Sequence, residues 1–298
     1  MTLLGPEDLA ADDAKGRAAL ARYALSLVTT EADPAFEIAY GLLDGEFGAK
    51  GELETRAAIR GYLARATPPG GYRLVLARDE RGDVAGVRDC HASVDVAAGV
   101  IVVFLSHVLV LPPHRGSGLA SLLREVPAAL GRSAAAEATL ERPEIMLAAE
   151  MEPVVLDSPE TIVRLVAYGR AGFSVVDPAA LPYGQPDYRE HARIDADRPR
   201  PIPLLAVVKR LGRETERTIP KALAAAFVEH LYRIVGSHCR EQDLARPRDH
   251  ALGALARAPG ERVRLLDLPR GMEDRAALSP LLREVVLRYH PPDVAGVR

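Results

Sequence analysis

Apolar residues change their spacing several times along the chain, and each change marks a predicted element. The first 66 residues read as helical: Gly16 to Leu27 is rich in Ala and Leu, Phe36, Tyr40, Leu43 and Phe47 recur at four, three and four, and a third helix is expected over Glu52 to Arg65. Thr67-Pro68-Pro69-Gly70-Gly71 breaks that pattern. Beyond it the period becomes that of strands, with Tyr72 to Arg78 and Val84 to Ser93 flanking a turn at Asp79–Asp83. A long strand over Val100 to Leu111 stops at Pro112-Pro113. A helix then opens at Gly116–Gly118, its face made by Leu119, Leu122, Leu123, Val126 and Leu130, and Pro127 is expected to kink or shorten it.

Ile145 to Met151 reads as the next strand, Ser158-Pro159 as the start of a helix running to Gly172, and Phe173 to Val176 and Leu204 to Val208 as two more strands. The 27 residues between those last strands, 177 to 203, are rich in Pro, Tyr and Arg. Connections longer than about 15 residues are uncommon in compact domains, which makes this one a candidate substrate lid. After a charged linker from Arg210 to Arg217, the residues Leu223, Phe227, Leu231, Ile234 and Val235 give a helix face, Val263 to Leu268 a short strand, and Ser279-Pro280 the cap of a last helix through Leu287.

Length and composition narrow the classes. With 298 residues, 48% hydrophobic and 27% charged, the chain has the composition of a globular protein able to bury a core without disulfides. A net charge of −3 argues against a generally nucleic-acid-binding surface, and the mixed-sign stretch Arg189 to Arg200 reads as a solvated loop. The most apolar run, Val96 to Leu111, holds 16 residues with Ser106 and His107 inside, short of the roughly 20 a spanning helix needs. Cys90 and Cys239 form no metal-ligand spacing, so no metal is expected and two free thiols suit a reducing compartment. The first residues lack the order of a secretion signal, and the expected location is cytoplasmic.

The chemistry concentrates in Val108-Leu-Val-Leu-Pro-Pro-His-Arg-Gly-Ser-Gly-Leu-Ala120. A strand ending at proline can offer backbone groups to an amide-bearing ligand. Two glycines then open a helix whose unpaired N–H groups and positive end suit an anion, and Arg115 adds a full charge. The combination describes a holder for an extended amide arm joined to a pyrophosphate. A dinucleotide loop fails because Ser121 stands where the third glycine would be, and no G-x-x-x-x-G-K-[ST] occurs.

These residues resemble the GNAT acyltransferase superfamily, whose pyrophosphate loop reads [RQ]-x-x-G-x-[GA] after a strand ending in V-x-P. Here Val110-Leu-Pro112 precedes Arg115-Gly-Ser-Gly118-Leu-Ala120, and Tyr168-Gly-Arg-Ala-Gly172-Phe173 matches the family's Y-x-x-x-G-F. The resemblance covers about residues 35 to 211. It implies an α/β (α+β) fold with a curved, mostly antiparallel mixed sheet, splayed between its central strands and flanked by helices. Residues 1–34 would be a helical N-terminal elaboration, 35–211 the acyltransferase domain and 212–298 a mainly helical C-terminal extension.

The resemblance further implies transfer of an acyl group, acetyl in the first instance, from a coenzyme A thioester directly to an amine. Val108, Leu109, Val110, Arg115, Gly116, Ser117, Gly118, Leu119 and Ala120 would hold acetyl-CoA, with a strand N–H near Leu109 meeting the oxyanion, and Tyr168 would protonate the leaving thiolate. Glu150 and Glu152, on one face of a strand, read either as candidate bases or as solvated strand-end carboxylates. His107 reads as another candidate base or as a satisfied core histidine, and Tyr183, Gln185 and Tyr188 as an acceptor pocket or as ordinary loop packing. A non-catalytic acyl-CoA-binding or protein-interaction module on the same fold is the alternative, and a homodimer is left open as the assembly.

Overall fold

The computed structural model describes residues 3–9, 13–50, 53–66, 69–152, 159–189, 191–237 and 239–271. It divides into two compact units, Met1–Leu147 and Ala148–Arg298. This division differs from the expected boundaries at 34/35 and 211/212.

In the first unit, α1 (Ala14–Arg22) leads into β1 (Ala24–Val28), followed by α2 (Pro34–Phe47), α3 (Arg56–Ala64), β2 (Gly71–Arg78), β3 (Val84–Asp95), β4 (Val100–Val110) and α4 (Leu119–Glu137). The expected helix over Gly16 to Leu27 is therefore corrected. It ends at Arg22, and Tyr23, Leu25 and Leu27 alternate inward along an edge strand paired antiparallel to β2. Each of the first three helices starts on a side-chain cap: Asp13 accepts from the Gly16 amide, Asp33 from Ala35 and Thr55 from Ala58.

The strands run in the order β1-β2-β3-β4, all antiparallel, and alternate residues of β3 face opposite layers. Val87 joins a cluster with Phe36, Tyr40 and Leu43 of α2 and Ile59 and Leu63 of α3. Gly86 faces Leu119 and Leu123 of α4. Pro127 neither ends nor shortens α4, which runs 19 residues. The one hydrogen bond that proline removes is outweighed by buried residues on both sides of it, from Leu122 to Ala135.

β5 (Glu144–Met151) carries the chain into the second unit, which continues through α5 (Pro159–Arg170), β6 (Ser174–Val176), β7 (Gly184–Gln185), α6 (His191–Asp197), β8 (Ile202–Pro203), β9 (Leu205–Arg210), β10 (Thr218–Pro220), α7 (Lys221–Val235), α8 (Glu241–Arg257) and β11 (Arg262–Asp267). The candidate lid at 177–203 has structure of its own: a two-stranded β7–β8 ribbon with α6 between its strands. The C-terminal part, expected to be mainly helical with a short strand over Val263 to Leu268, holds two strands among its described residues. β11 pairs antiparallel with both β10 and β6, with Leu265 opposite Val176, so these residues extend the sheet that β6 forms with β9. The helix start at Ser158 and the last helix from Ser279 to Leu287 lie outside the described residues. Mixed helices and mostly antiparallel strands are thus the fold class that the resemblance implied.

Candidate functional site

The loop after β4 is built by a short 3-10 turn over Pro112–His114 and by two glycines in the left-handed region, Gly116 at φ +76° and Gly118 at φ +90°. The Leu119 amide donates to Ser117 Oγ at 3.4 Å, but the N-cap Gly118 lends no side-chain cap to α4 in the way Asp13, Asp33 and Thr55 cap the earlier helices. Its first-turn residues Ala120 and Ser121 instead line a cavity of about 580 Å³ together with Val110, Arg115, Gly116, Gly118, Arg124 and the start of α1. Two helix N-termini and three cationic side chains, Lys15, Arg115 and Arg124, therefore meet at one opening. Asp13 is the acidic member. The Gly16 amide first, then Ser121, Arg124 and Arg17, hold its carboxyl below the usual range, so it is ionised at neutral pH and leaves the surroundings net positive.

The loop is held from behind. Tyr23, buried, donates from its hydroxyl to Ser117 Oγ at 3.0 Å and sits 3.2 Å from His114 Nδ1, while Ser117 Oγ donates to the His114 carbonyl at 2.6 Å. Arg115 Nε reaches the Val110 carbonyl at 3.4 Å, which turns the guanidinium back along the strand end. The Leu111 amide is also taken, by Ala85 O. Leu119, expected beside the cofactor, is completely buried in the core and contributes backbone only. Leu109 packs toward the α2 and α3 cluster, while Val108 is exposed. Sequence reasoning missed Asp13, Lys15, Tyr23 and Arg124, which no local motif connects to the loop.

A second arrangement in this unit centres on His107. Between Arg88 and Cys90 the register with β4 slips: Arg88 faces Val108 but Cys90 faces Leu105, so β4 carries an extra residue opposite Asp89. The His107 amide donates to Asp89 Oδ1 at 2.6 Å, and its ring Nδ1 lies 3.2 and 3.3 Å from the two carboxylate oxygens. The Tyr72 hydroxyl donates to Asp89 Oδ2 at 2.8 Å. Burial opposes the Asp89 charge, yet His107 and the hydrogen bonds from His107 and Tyr72 bring its carboxyl below the ordinary value. The Tyr72 phenol is pushed well up by burial and by Asp89, so it remains the donor. His107 also packs on the Phe47 ring at 4.8 Å.

In the second unit, Glu150 on β5 accepts from the fully buried Tyr183 hydroxyl and, at 2.8 Å, from Gln185 Nε2. Three of the expected site residues are thereby brought together. Burial and the neighbouring Glu150 raise Tyr183 well above the usual phenol, which keeps its proton on the hydroxyl. Tyr183 stacks at a tilt on Tyr232, 5.2 Å away, and Tyr232 in turn donates to the Gly184 carbonyl. Glu152 does not act beside Glu150: it is half-exposed and ion-paired with Arg164 at 2.7 Å. Tyr188 is exposed and donates to the Val235 carbonyl, and it lies near enough to Tyr183 to add to the rise of that phenol. Tyr168 is half-buried on α5 and meets Phe173 edge-on at 5.0 Å.

Among the described residues no cluster of His, Cys, Asp and Glu could hold a metal, and no helix is long and apolar enough to cross a membrane. No protein-family model matches the sequence, and no curated protein matches it. Solved structures do. Naa50 of Arabidopsis thaliana, in complex with the bisubstrate analogue CoA-Ac-MVNAL, is similar at 17% identity and a TM-score of 0.36 over 62% of this chain and 97% of that one. Spermidine N-acetyltransferase of Vibrio cholerae, with CoA and spermine, is similar at 12% identity and a TM-score of 0.37 over 64% and 98%. A GNAT-family acetyltransferase of Staphylococcus aureus is similar at 8% identity and 0.35 over 63% and 99%. Identities and TM-scores this low transfer neither activity nor substrate, and the residues must carry any functional reading.

Proposed function

We propose that the chain is an acyl-CoA-dependent N-acyltransferase that moves an acetyl group from acetyl-CoA to an amine. The observation that carries this reading is the cavity at the start of α4, where Arg115, Lys15 and Arg124 surround two positive-φ glycines and the first-turn residues Ala120 and Ser121. Backbone amides and a net positive lining fit a pyrophosphate, and Val110 at the cavity wall joins it to the strand that would follow the amide arm. The bound thioester supplies the activated acyl carbon.

The chain's own residues do the rest in this reading. Tyr168 donates from its phenol the proton that the departing thiolate needs. Glu150, with Tyr183 and Gln185 fixing its oxygens, offers a negative, aromatic-walled surface to a cationic acceptor. The free thiols suit a reducing, cytoplasmic setting: burial pushes Cys90 up to about 12 and Cys239 to about 11, so neither is a thiolate at neutral pH. Calorimetric titration with acetyl-CoA tests the reading. Saturable binding that Arg115→Ala weakens is expected, and absence of binding at millimolar acetyl-CoA would overturn it.

A further inference from the structure

The cavity at the start of α4 is completed by a helix that lies outside residues 35 to 211, the stretch that resembles the superfamily. Asp13, Ala14 and Lys15, from the cap and first turn of α1, line it beside the loop residues and Arg124. α1 is fastened to the loop at both ends. At its start the Lys15 carbonyl comes so close to Gly118 that a Cβ there would overlap it, and Asp13 interacts with Ser121 and Arg124 of α4. Just past its end, the buried Tyr23 donates to Ser117 Oγ at 3.0 Å. Backbone contact and a buried tyrosine therefore set where α1 stands.

Position separates the three cations of the lining. Arg115 belongs to the strand end, with its Nε on the Val110 carbonyl at 3.4 Å. Arg124 stands six residues beyond Gly118, about 9 Å further along α4 at 1.5 Å per residue, and its Nη2 donates to Ser121 Oγ at 2.8 Å. Its charge reaches Asp13, two residues before Lys15. Among the described residues the Lys15 ammonium makes no ion pair or hydrogen bond. What α1 brings to the cavity is a side-chain charge, because its own first turn is already capped: Asp13 accepts from the Gly16 amide at 2.9 Å.

Coenzyme A carries its charge in two places as well. Its pyrophosphate diester bears one negative charge on each phosphorus, which the glycine amides and Arg115 match. Its third phosphate is a monoester on the 3′ carbon of the ribose, with a charge of about −1.5 to −2 at neutral pH and three acceptor oxygens. At about 580 Å³ the opening has the volume of a site for a whole small molecule, more than two phosphate groups require. The ionised Asp13 subtracts one charge from the α1 end, so both Lys15 and Arg124 are needed to leave that end positive.

We propose that, given the acyl-CoA reading of this cavity, on which the assignment rests, Lys15 and Arg124 form a phosphomonoester subsite that receives the 3′-phosphate of coenzyme A. The α1 segment thereby makes the protein selective for CoA over its 3′-dephospho form.

Calorimetric titration of the full chain with CoA and with 3′-dephospho-CoA, at one ionic strength, tests this. The two ligands share the pyrophosphate, the amide arm and the thiol and differ in that one group. The wild type is expected to bind CoA more tightly by about tenfold or more. Lys15→Gln and Arg124→Gln, at exposed positions, are each expected to bring the two affinities together by weakening CoA and leaving dephospho-CoA unchanged. Arg115→Ala is expected to weaken both alike, and Lys15→Arg, which keeps the charge, to retain the preference. Equal wild-type affinities, an unchanged preference in either glutamine variant, or a loss of both ligands by one factor in either of them, would overturn the subsite while leaving the acyl-CoA reading in place. Failure of the wild type to bind either ligand at millimolar concentration would overturn that reading and the subsite with it.

Discussion

Gly116 and Gly118 offer a controlled pair of perturbations, because they share one backbone conformation and differ in what surrounds them. An alanine at either position must adopt the left-handed region, at φ +76° or +90°, which costs an L-residue about 1–2 kcal/mol. At Gly116 a new Cβ would meet no protein atom within 4 Å, so that cost is the whole effect on stability. At Gly118 the same carbon would lie 2.3 Å from the Lys15 carbonyl oxygen and 2.8 Å from its carbon, which are backbone atoms of α1 that cannot rotate away. Separating two seated helices adds an overpacking cost of about 1–3 kcal/mol, for a total of about 2–5. Urea unfolding of the two variants should therefore show Gly118→Ala as the more destabilised by about 1–3 kcal/mol. Binding should respond in the other direction. The Gly116 methyl would project into the cavity where a phosphate oxygen is proposed to sit, so acetyl-CoA affinity should fall at least tenfold, a loss of about 1.4 kcal/mol, on top of the backbone cost alone to stability. Equal destabilisation in the two variants would refute the seating of α1 on the loop. Wild-type affinity in Gly116→Ala would refute the pyrophosphate cradle.

Other outcomes follow from single contacts. Tyr168→Phe should lower kcat while leaving acetyl-CoA affinity unchanged in calorimetry, and an unchanged kcat with an active amine would remove its proposed proton-donor role. Removing Lys15 or Arg124 should weaken acetyl-CoA binding and flatten its dependence on salt, measured by titration at low and high ionic strength. Arg88 is 4% exposed and its Nε has no hydrogen-bond partner among the described residues, so Arg88→Met should raise stability by about 1–3 kcal/mol in urea unfolding. His91 binds its proton less readily in the folded chain, at about 4 against 6.5, because of burial first and the Arg73 and Arg65 charges after it. The unfolded chain then holds more protons between those values, so stability should be full above pH 6.5 and fall toward pH 4, by at most about 3 kcal/mol. Substituting His91→Gln should flatten that segment of the stability profile.

The fold was legible wherever one period held for two turns or more. Phe36 to Phe47 and Leu119 to Leu130 both became helices with those residues inward. Legibility failed where two periods met within a few residues. Ala24–Val28 follows a helix without a glycine or proline between them, and the only signal of the change is that Tyr23, Leu25 and Leu27 alternate. The helix α8 was hidden by Pro247 in its interior and by a face interrupted with Arg and Asp. The C-terminal strand could be seen, but its partner could not. Pairing β11 with β6 joins Leu265 to Val176, and no periodicity encodes contacts across that separation.

The candidate site divides along the same line of sequence distance. Arg115, Gly116 and Gly118 were readable because a strand end, a tight turn and a helix start must be contiguous to make an anion cradle. The groups that complete it belong to a helix one hundred residues earlier, and their placement depends on Gly118 lacking a Cβ so that α1 can seat against it. Asp89 was hidden for a different reason. It stands in Gly86-Val-Arg-Asp-Cys90, where the alternation predicts an apolar side chain, and a lone acid in a strand ordinarily faces solvent. Only the extra residue in β4 turns that anomaly into a partner, because the slip both frees the His107 amide and brings the imidazole over the carboxylate. A charged residue inside an apolar strand is thus informative when a titratable residue sits at a probable bulge on the facing strand, and His107 beside Ser106 in an otherwise Val- and Leu-rich run was that signal.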